Sequence, residues 1–443
     1  MPAAVRSRPD ACPGVFAPHD AADGALARIR LPGGVISAAA LRAVADCADE
    51  LGDGHLHLTS RGNLQLRGLS RSSALPTRLM DAGLLPSATH ERVRNILASP
   101  LAGIASDPVA RVDVAPPTTV GTRGTGSSAG DRLPRFDVDA ATALGTRETG
   151  SCDVRGLAAE LDRSLCARPE LAGLPGRFLF ALDDGRGDVA AEEPDLCWRA
   201  PGTLLVAGAD AGLRVPSTDA VRVLLDAAEV FLALRAGDGG SAWRVAELAD
   251  APARIAAGLT SVEPSGSREP GSQQGGPAPI RLQQGHLAAT PRTPVPVRAA
   301  VPGPVTRDDG GVALVVAPLL GELTTAQARL LADTGAALVV TPWRTVVLPD
   351  PQLSTFELAA AGLVVEPGPA ADVSACAGRP GCAKALADVR ADALAAIGRL
   401  PAGRVHVSGC ERRCGAPRGP HVDAVALVGG GYLVDGIART GLG

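Results

Sequence analysis

Two stretches of the chain repeat one order of hydrophobic and polar positions. The first begins at Gly33 and reads GGVISAAALRAVADCADELGDGHLHLTSRGNLQLRGL, and the second begins at Gly321 and reads GELTTAQARLLADTGAALVVTPWRTVVLPDP. In each, a glycine precedes a residue suited to cap a helix, Ser37 or Thr324, and apolar residues then recur with the helical period. A strand, a turn that opens with threonine and a second strand follow. The pattern predicts two α+β half-domains related by internal duplication.

Each half-domain is followed by a longer stretch of mixed helical and strand character, and two stretches lack periodic apolar residues. From about residue 115 to 132 and from 262 to 309, the chain is rich in Gly, Ser, Thr and Pro, as linkers are. We predict a first half-domain over residues 18–80, a first α+β lobe over 88–240, a disordered linker over 262–309, a second half-domain over 310–365 and a second lobe over 366–443.

Charge and composition exclude several classes of function. The net charge of −4 and the isoelectric point near 6.0 do not favour a surface that binds nucleic acid. No apolar run approaches the roughly 20 residues that a membrane span needs, and the first residues lack the apolar core of a secretion signal. We therefore expect a cytoplasmic protein without a membrane partner. In that reducing compartment, clustered cysteines are better interpreted as metal ligands than as disulfides.

Four of the nine cysteines form two pairs near the C-terminal end. Cys376 and Cys382 are separated by the five residues AGRPG, Cys410 and Cys414 by the three residues ERR, and 27 residues lie between the pairs. Thiolates are the usual ligands of iron–sulfur clusters. A structural zinc site is the alternative, although zinc pairs are usually spaced by about two to four residues. We predict that the four thiols bind a four-iron four-sulfur (4Fe-4S) cluster, with a helix starting just after Cys382 and the strand RVHVS preceding Cys410.

Arginines and amides recur on strand faces in the first half of the chain. In TSRGNLQLRG, polar side chains at alternate positions share one face of a strand, and ARIRLPGG places two arginines on one face of another. Guanidinium groups bind carboxylates through paired hydrogen bonds, so a carboxylate-rich ligand would suit them. A solvated arginine-rich face is the other interpretation that the spacing allows. The candidate ligand-binding residues are Arg28, Arg30, Arg61, Asn63, Gln65, Arg67, Arg94, Asn95 and Arg177.

Together these segments resemble the nitrite/sulfite reductase superfamily. The cysteine spacing with SGCERRC is similar to the superfamily's cluster motif, and RIRLPGG, TSRGNLQLRG, RNILASPLAG and LPGRF follow in its order. The resemblance implies an α+β fold with a duplicated architecture of two ferredoxin-like half-domains and two larger lobes. It also implies that siroheme, a carboxylate-rich iron tetrapyrrole, lies between the lobes beside the cluster in the reductases.

Within the superfamily, ACPGVFAPHDAADGALARIRLPGG and TPWRTVVLP resemble oxygen-dependent members that act in cobalamin biosynthesis. That resemblance implies a monooxygenase that hydroxylates the tetrapyrrole precorrin-3A at a meso carbon, with formation of a γ-lactone. Dioxygen and an electron donor, NADH or a reductase, would be its partners, and the arginines would hold substrate. A mononuclear non-haem iron is implied as well, for which the candidate ligands are His19, His55, His57, His406 and His421.

Two departures from the reductases bear on this choice. Lys384 is the only lysine, and Arg177 stands in LPGRF, where the reductases place lysine. Arginine is a poor proton donor, so a reduction that consumes many protons is disfavoured, and a siroheme-dependent nitrite or sulfite reductase is the alternative. Glu411, Arg412 and Arg413 also stand between the last two cysteines, where reductases commonly have Pro-Asn. A cluster-bearing electron carrier, a third interpretation, would need no arginine-lined cavity.

The other five cysteines are scattered. Cys47 falls on the apolar face of the first predicted helix and is interpreted as a core residue. Cys12, in ACPG, is interpreted as structural, with a redox or iron-binding role as the alternative.

Overall fold

The computed structural model describes residues 12–70, 74–105, 152–261, 283–284 and 300–442. The predicted linker at 115–132 lies outside these ranges, and so does most of the one at 262–309. The first half-domain contains β1 (His19–Ala21), β2 (Gly24–Ile29), β3 (Val35–Ile36), α1 (Ala38–Leu51), β4 (His55–Leu58), β5 (Leu64–Leu69) and α2 (Ala74–Asp81). The first lobe contains β6 (Ile96–Ala98), α3 (Val154–Cys166), β7 (Phe180–Asp183), β8 (Leu196–Arg199), β9 (Thr203–Val206), β10 (Ala209–Arg214), α4 (Ser217–Gly237), α5 (Ala251–Ser261) and β11 (Gln283–Gln284).

The second half of the chain repeats this order. Its half-domain contains β12 (Gly303–Thr306), β13 (Val312–Val316), β14 (Glu322–Thr324), α6 (Thr325–Ala332), β15 (Leu338–Val340), β16 (Val346–Leu348) and α7 (Thr355–Ala360). The second lobe contains α8 (Pro369–Asp372), β17 (Val373–Ala375), α9 (Val389–Ala396), β18 (Val405–Ser408), β19 (Val422–Ala426), β20 (Tyr432–Val434) and β21 (Ile437–Arg439).

Each half-domain donates one strand to the sheet of the other. The first sheet has the order β1-β2-β5-β4-β14, and the second has the order β12-β13-β16-β15-β3. In the antiparallel pairs that join them, Leu323 lies opposite Leu56, and Leu338 lies opposite Ile36. These leucines and isoleucine belong to one hydrophobic core that both half-domains share. The half-domains are therefore interlocked rather than merely adjacent.

The predicted helix caps of the two repeats are confirmed. The Ser37 hydroxyl accepts a hydrogen bond from the Ala40 amide at 3.1 Å, so α1 begins where the sequence indicates. Thr324 and Gln327 form a reciprocal capping box at the start of α6. The same local chemistry thus starts both duplicated helices.

The predicted linker extends too far along the chain. Residues 303–306 form β12, which pairs with β13, so the second sheet begins before residue 310. The proline-rich segment VPGPVT indicated a linker, but β12 is an edge strand, where Pro304 can sit without breaking a sheet ladder. Edge position explains why the compositional signal was misleading here.

The two lobes share a topology. In the first, β6, β7 and β8 are parallel and β9, β10 and β11 continue the sheet antiparallel. In the second, β17, β18 and β19 are parallel and β20 and β21 are antiparallel. The predicted duplicated α+β fold is confirmed. Among helices of the described ranges, none is both long and apolar enough to cross a membrane.

Candidate metal and anion-binding site

The two cysteine pairs lie at the carboxyl ends of neighbouring parallel strands. Val373 pairs with Val405 in β17 and β18, so both strands end at the same edge of the sheet. Cys376 follows β17 directly, and Cys410 follows β18 after one glycine. The Gly409 amide donates to Cys376 Sγ at 3.2 Å, which joins the two loops. Strand register therefore places both pairs together.

The four thiols converge and carry no disulfide. Cys414 is exposed, and Cys376, Cys382 and Cys410 are half-buried. Burial, followed by the charges of the other three cysteines, raises the pKa of Cys414. Within the described ranges, the group of three ligand atoms found within 4.8 Å of one another consists of aspartates and does not include these thiols. Four thiols close enough to interact electrostatically form a donor set of the kind that holds iron–sulfur clusters.

The helix after the first cysteine pair begins later than predicted. The sequence AKALADV favours a helix from residue 383, whereas α9 begins at Val389 with Asp388 as its N-cap. The intervening residues are held by the loop that follows β18, because the Leu386 amide donates to the Gly409 carbonyl at 2.8 Å. The positive end of the helix dipole is therefore six residues further along the chain from Cys382 than predicted.

A second group of side chains, which we call the buried arginine group after Arg30, consists of the buried Arg30 and the half-buried Arg28 and Arg61. Arg30 is only 1% exposed, and its Nη2 donates to Cys12 Sγ at 3.5 Å and to the Pro13 carbonyl at 3.4 Å. Its Nε and Nη1 are buried without a hydrogen-bond partner, and so is Nε of Arg28. Buried donors of this kind carry a desolvation cost that a bound anion would remove.

Burial, with a smaller contribution from neighbouring positive charges, lowers the pKa values of the buried arginine group. Burial, and then the charge of Arg28, lowers the pKa of Arg30 to about 9. Burial, and then Arg244, lowers the pKa of Arg61 to about 10. Burial lowers the pKa of Arg28 as well, with a smaller contribution from Arg177. Several cations that destabilise one another in a buried place are typical of an anion-binding site.

Three more residues border this group. Arg177, a candidate from the sequence, is exposed and stacks with its Cζ 5.3 Å from the centroid of Trp243. Arg244 was not among the sequence candidates, and its Nε forms a 2.6 Å ion pair with Asp195. It lies in an irregular segment, so no strand periodicity could have indicated its direction. Gln65 belongs with them, since its Oε1 accepts from Arg28 Nη2 at 3.3 Å.

The predicted amides are used inside the protein. Asn63 Oδ1 accepts from the Leu31 amide at 2.9 Å, and its Nδ2 donates to Asn95 Oδ1 at 3.3 Å. Asn95 in turn donates to the Gly176 carbonyl at 3.0 Å. These two residues fix the β2 end, the β4–β5 turn and the first lobe relative to one another, rather than facing a ligand.

Two predicted arginines are also committed to internal contacts. Arg94 forms a two-pronged ion pair with Asp162 at 2.6 and 2.7 Å and donates to the Leu84 carbonyl. Arg67 forms a two-pronged pair with Asp23 at 3.0 Å and donates to the Gly381 carbonyl at 2.6 Å. Spacing indicated which side chains share a strand face, but not that another lobe covers that face.

The candidate iron-binding histidines do not come together. His57 Nε2 lies 3.1 Å from Asp53 Oδ2, and both His55 and His57 lie within 4.0 Å of Glu322. The rings of His406 and His421 are 6.4 Å apart. In the part of the chain that the structure describes, no histidine belongs to a group of three close ligand atoms.

An acidic group lies at the strand ends of the first lobe that correspond to the cysteine site of the second. Asp183 ends β7, and Asp184 and Asp188 follow it. Ser99, which follows β6, donates to Asp188 Oδ1 at 2.6 Å. Asp188 is 1% exposed and its Oδ2 has no hydrogen-bond partner. Burial, and then the charge of Asp183, raises the pKa of Asp188 to about 7.

We expect Asp188→Asn to stabilise the protein at neutral and alkaline pH. Because the folded-state pKa is raised from 3.8 to about 7, the folded protein retains a proton that the unfolded chain has released between these values. Stability therefore falls as pH rises through this window, and the amide removes that fall. Thermal unfolding at about pH 5 and 8 measures it. Asp184→Asn, which breaks the ion pair with Arg186, should instead lower the unfolding temperature. No gain for Asp188→Asn at the higher pH would contradict the repulsion.

Comparison with known proteins agrees with this architecture. Residues 19–76 match the family description "Nitrite/Sulfite reductase ferredoxin-like half domain". A precorrin-3B synthase from Sinorhizobium sp is 38% identical over 103 residues, which are 23% of this chain and 22% of that protein. A ferredoxin–nitrite reductase from Leptolyngbya laminosa is 39% identical over 85 residues, which are 18% of this chain and 16% of that protein. The matched stretches therefore span less than a quarter of these curated relatives.

The fold extends the likeness beyond these stretches. The structure of the Mycobacterium tuberculosis NirA protein superposes with a TM-score of 0.61 at 20% identity, over 93% of this chain and 73% of that one. At this identity the match shows the fold alone. Residues 19–76 are thus similar to the nitrite/sulfite reductase half domain, and the overall fold is similar to that of the NirA protein.

Proposed function

We propose that this chain is a precorrin-3B synthase, an iron–sulfur monooxygenase that hydroxylates precorrin-3A at a meso carbon with formation of a γ-lactone. The observation that carries the proposal is the buried arginine group, whose unpartnered nitrogens are suited to the carboxylates of a tetrapyrrole. The partial identity to a precorrin-3B synthase supports the choice of substrate.

Each residue has a role that follows from its surroundings. Arg30 and Arg28 would bind carboxylates from the floor of the site, because burial leaves their free N–H groups no water to bind. Cys12 Sγ lies 3.7 Å from Arg28 Nη1 and 3.5 Å from Arg30 Nη2, so it orients both guanidinium groups. Arg177 is exposed and stacked on Trp243, a position suited to the rim.

Cys376, Cys382, Cys410 and Cys414 would hold a 4Fe-4S cluster, which supplies single-electron transfer when bound. Their convergence and the amide that Gly409 donates to Cys376 support this assignment. In the proposed reaction, one atom of dioxygen enters the product and the other leaves as water. NADH or a reductase supplies the two electrons, and the two protons come from the electron donor and the solvent. The arginines keep their protons and hold the substrate during this exchange.

Isotopically labelled dioxygen tests the reaction. Anaerobically purified, iron-loaded protein is incubated with precorrin-3A, an electron donor and labelled dioxygen, and the product is examined by mass spectrometry. We expect one labelled oxygen atom per product molecule, and none when labelled water replaces labelled dioxygen. An iron-loaded preparation that incorporates no label would contradict the proposal.

A siroheme-dependent nitrite or sulfite reductase is the second candidate, because a ferredoxin–nitrite reductase matches the chain about as closely. The buried arginine group would then hold siroheme instead of substrate. The absorption spectrum of the anaerobically purified protein separates the two functions. A broad shoulder without sharp bands supports the monooxygenase, whereas a strong Soret band with reduction of nitrite or sulfite by reduced viologen supports the reductase.

A further inference from the structure

We propose that Arg67 and Arg344 are positioning residues for the cysteine site, one from each half-domain, and that each holds one cysteine loop by a backbone carbonyl. We call them the clamp arginines. The inference rests on the proposed 4Fe-4S cluster and adds to it the residues outside the second lobe that control it.

Arg67, on β5 of the first half-domain, holds the loop between Cys376 and Cys382. Its Nη2 donates to the Gly381 carbonyl at 2.6 Å, next to Cys382. The same guanidinium donates to Asp23, from Nε to Oδ2 at 3.0 Å and from Nη2 to Oδ1 at 3.0 Å. This two-pronged ion pair fixes the direction of the Arg67 side chain. A Cβ at Gly381 would lie 2.9 Å from Asp23 Oδ2 and 3.0 Å from Arg67 Nη2, so the glycine admits the pair to the loop.

Arg344, in the β15–β16 turn of the second half-domain, holds the loop after Cys414. Its Nη2 donates to the Gly415 carbonyl at 2.5 Å. Its side chain packs against Gly321, because a Cβ at that glycine would overlap Arg344 Cδ. Burial lowers the pKa of Arg344 to about 10, so it remains charged at neutral pH. Both loops that carry the thiols are thus tied to a half-domain by a charge-assisted hydrogen bond.

The backbone of Arg344 indicates that its side chain is needed. Arg344 has a φ of 59°, and Gly62, at the matching position of the β4–β5 turn, has a φ of 62°. The turns match bond for bond: Gly62 donates to Thr59 at 3.2 Å, and Arg344 donates to Thr341 at 3.1 Å. Glycine adopts this left-handed conformation without strain, whereas the same conformation is strained for arginine. The duplicated turn therefore tolerates a strained residue at the one position from which a guanidinium reaches Gly415.

Two physical consequences follow for a bound cluster. Fixing the peptide planes beside Cys382 and Cys414 limits the directions in which these thiolates can move, which slows loss of metal. The two positive charges also favour the reduced, more negative form of a nearby cluster. Removing a clamp should therefore accelerate iron release and shift the cluster's midpoint potential to more negative values.

The test compares Arg67→Gln and Arg344→Gly with the wild type as full-length, anaerobically reconstituted proteins. Iron release to a chelator should be about 10- to 100-fold faster in each variant. An EPR-monitored redox titration should give a more negative midpoint potential in both. Arg344→Gly should nevertheless unfold at a temperature no lower than the wild type, because glycine removes the backbone strain. A merely structural role would lower the unfolding temperature and leave the potential unchanged.

Arg418→Gln is the matched control, because it removes an arginine four residues after Cys414. That guanidinium is exposed and pairs with Glu193 at 2.8 Å instead of holding a cysteine loop. Its iron release and potential should equal those of the wild type. Unchanged release and potential in both clamp variants, or an equal change in Arg418→Gln, would overturn the clamps alone. Wild-type protein that acquires no iron and sulfide would overturn the cluster and the clamps together.

Discussion

Replacing Cys382 or Cys410 by alanine is expected to remove iron and acid-labile sulfide from the purified protein. Cys382 lies in the loop after β17 and Cys410 in the loop after β18, so either change removes a ligand from one of the two loops that form the site. Metal binding is coupled to folding, so the second lobe should also unfold at a lower temperature. Iron and sulfide analysis with thermal unfolding measures both effects. Full iron and sulfide content in either variant would refute the ligand assignment.

Cys152→Ala is the control for these variants. Cys152 is half-buried in the first lobe and packs at the edge of that lobe's core. Its loss should leave iron, sulfide and the absorption spectrum unchanged. If Cys152→Ala lost iron to the same extent as Cys382→Ala, the loss would reflect general instability rather than a missing ligand.

Replacing Arg30 by methionine should have opposite effects on stability and binding. Methionine has a similar length and removes a buried charge that has two unpartnered nitrogens and lies against Arg28, so the ligand-free protein should gain about 1–4 kcal/mol. Affinity for a carboxylate-rich porphyrin such as uroporphyrin should fall about 10- to 100-fold, because a charge-assisted hydrogen bond is lost. Thermal unfolding and absorbance titration measure the two effects.

The control for this variant is Arg42→Met on α1. Arg42 is exposed and pairs with Asp333 at 2.8 Å, so its loss should change stability by less than about 1 kcal/mol and leave porphyrin affinity unaltered. An Arg30→Met protein that binds the porphyrin as tightly as the wild type would show that the buried arginine group does not contact carboxylates. A loss of stability in the same variant would show that Arg30 is held by contacts stronger than the repulsion.

Local signals in the sequence were sufficient for the duplicated helices. Ser37 and Thr324 cap α1 and α6 as predicted, because a cap depends on residues only three positions away. The helix after Cys382 was misplaced because AKALADV has good helix formers, whereas the Leu386 amide donates to the Gly409 carbonyl in the loop after β18. A tertiary hydrogen bond overrode local propensity there.

Sequence alone could not decide which arginines are free. Arg67 lies on β5 and Arg30 directly follows the neighbouring strand β2, and their spacing in the sequence does not distinguish them. Asp23, far from Arg67 along the chain, pairs with Arg67, whereas Arg30 donates to Cys12 and Pro13 and keeps two nitrogens without a hydrogen-bond partner. The exchange of β3 and β14 was hidden for a similar reason, since strands of two and three residues carry no signal of which sheet they join.

The strand exchange also determines when the protein can complete its folding during synthesis. β4 pairs with β5 on one side, but its other side has no partner until β14 has left the ribosome. More than half of the chain lies between β4 and β14. Until then the N-terminal half presents an open sheet edge, which other nascent chains could extend. β4 alternates leucine with His55 and His57, so polar side chains line one face of that edge while it waits. The slow step of folding should therefore be the late closure of both sheets by their exchanged strands, since contacts so distant in sequence form last.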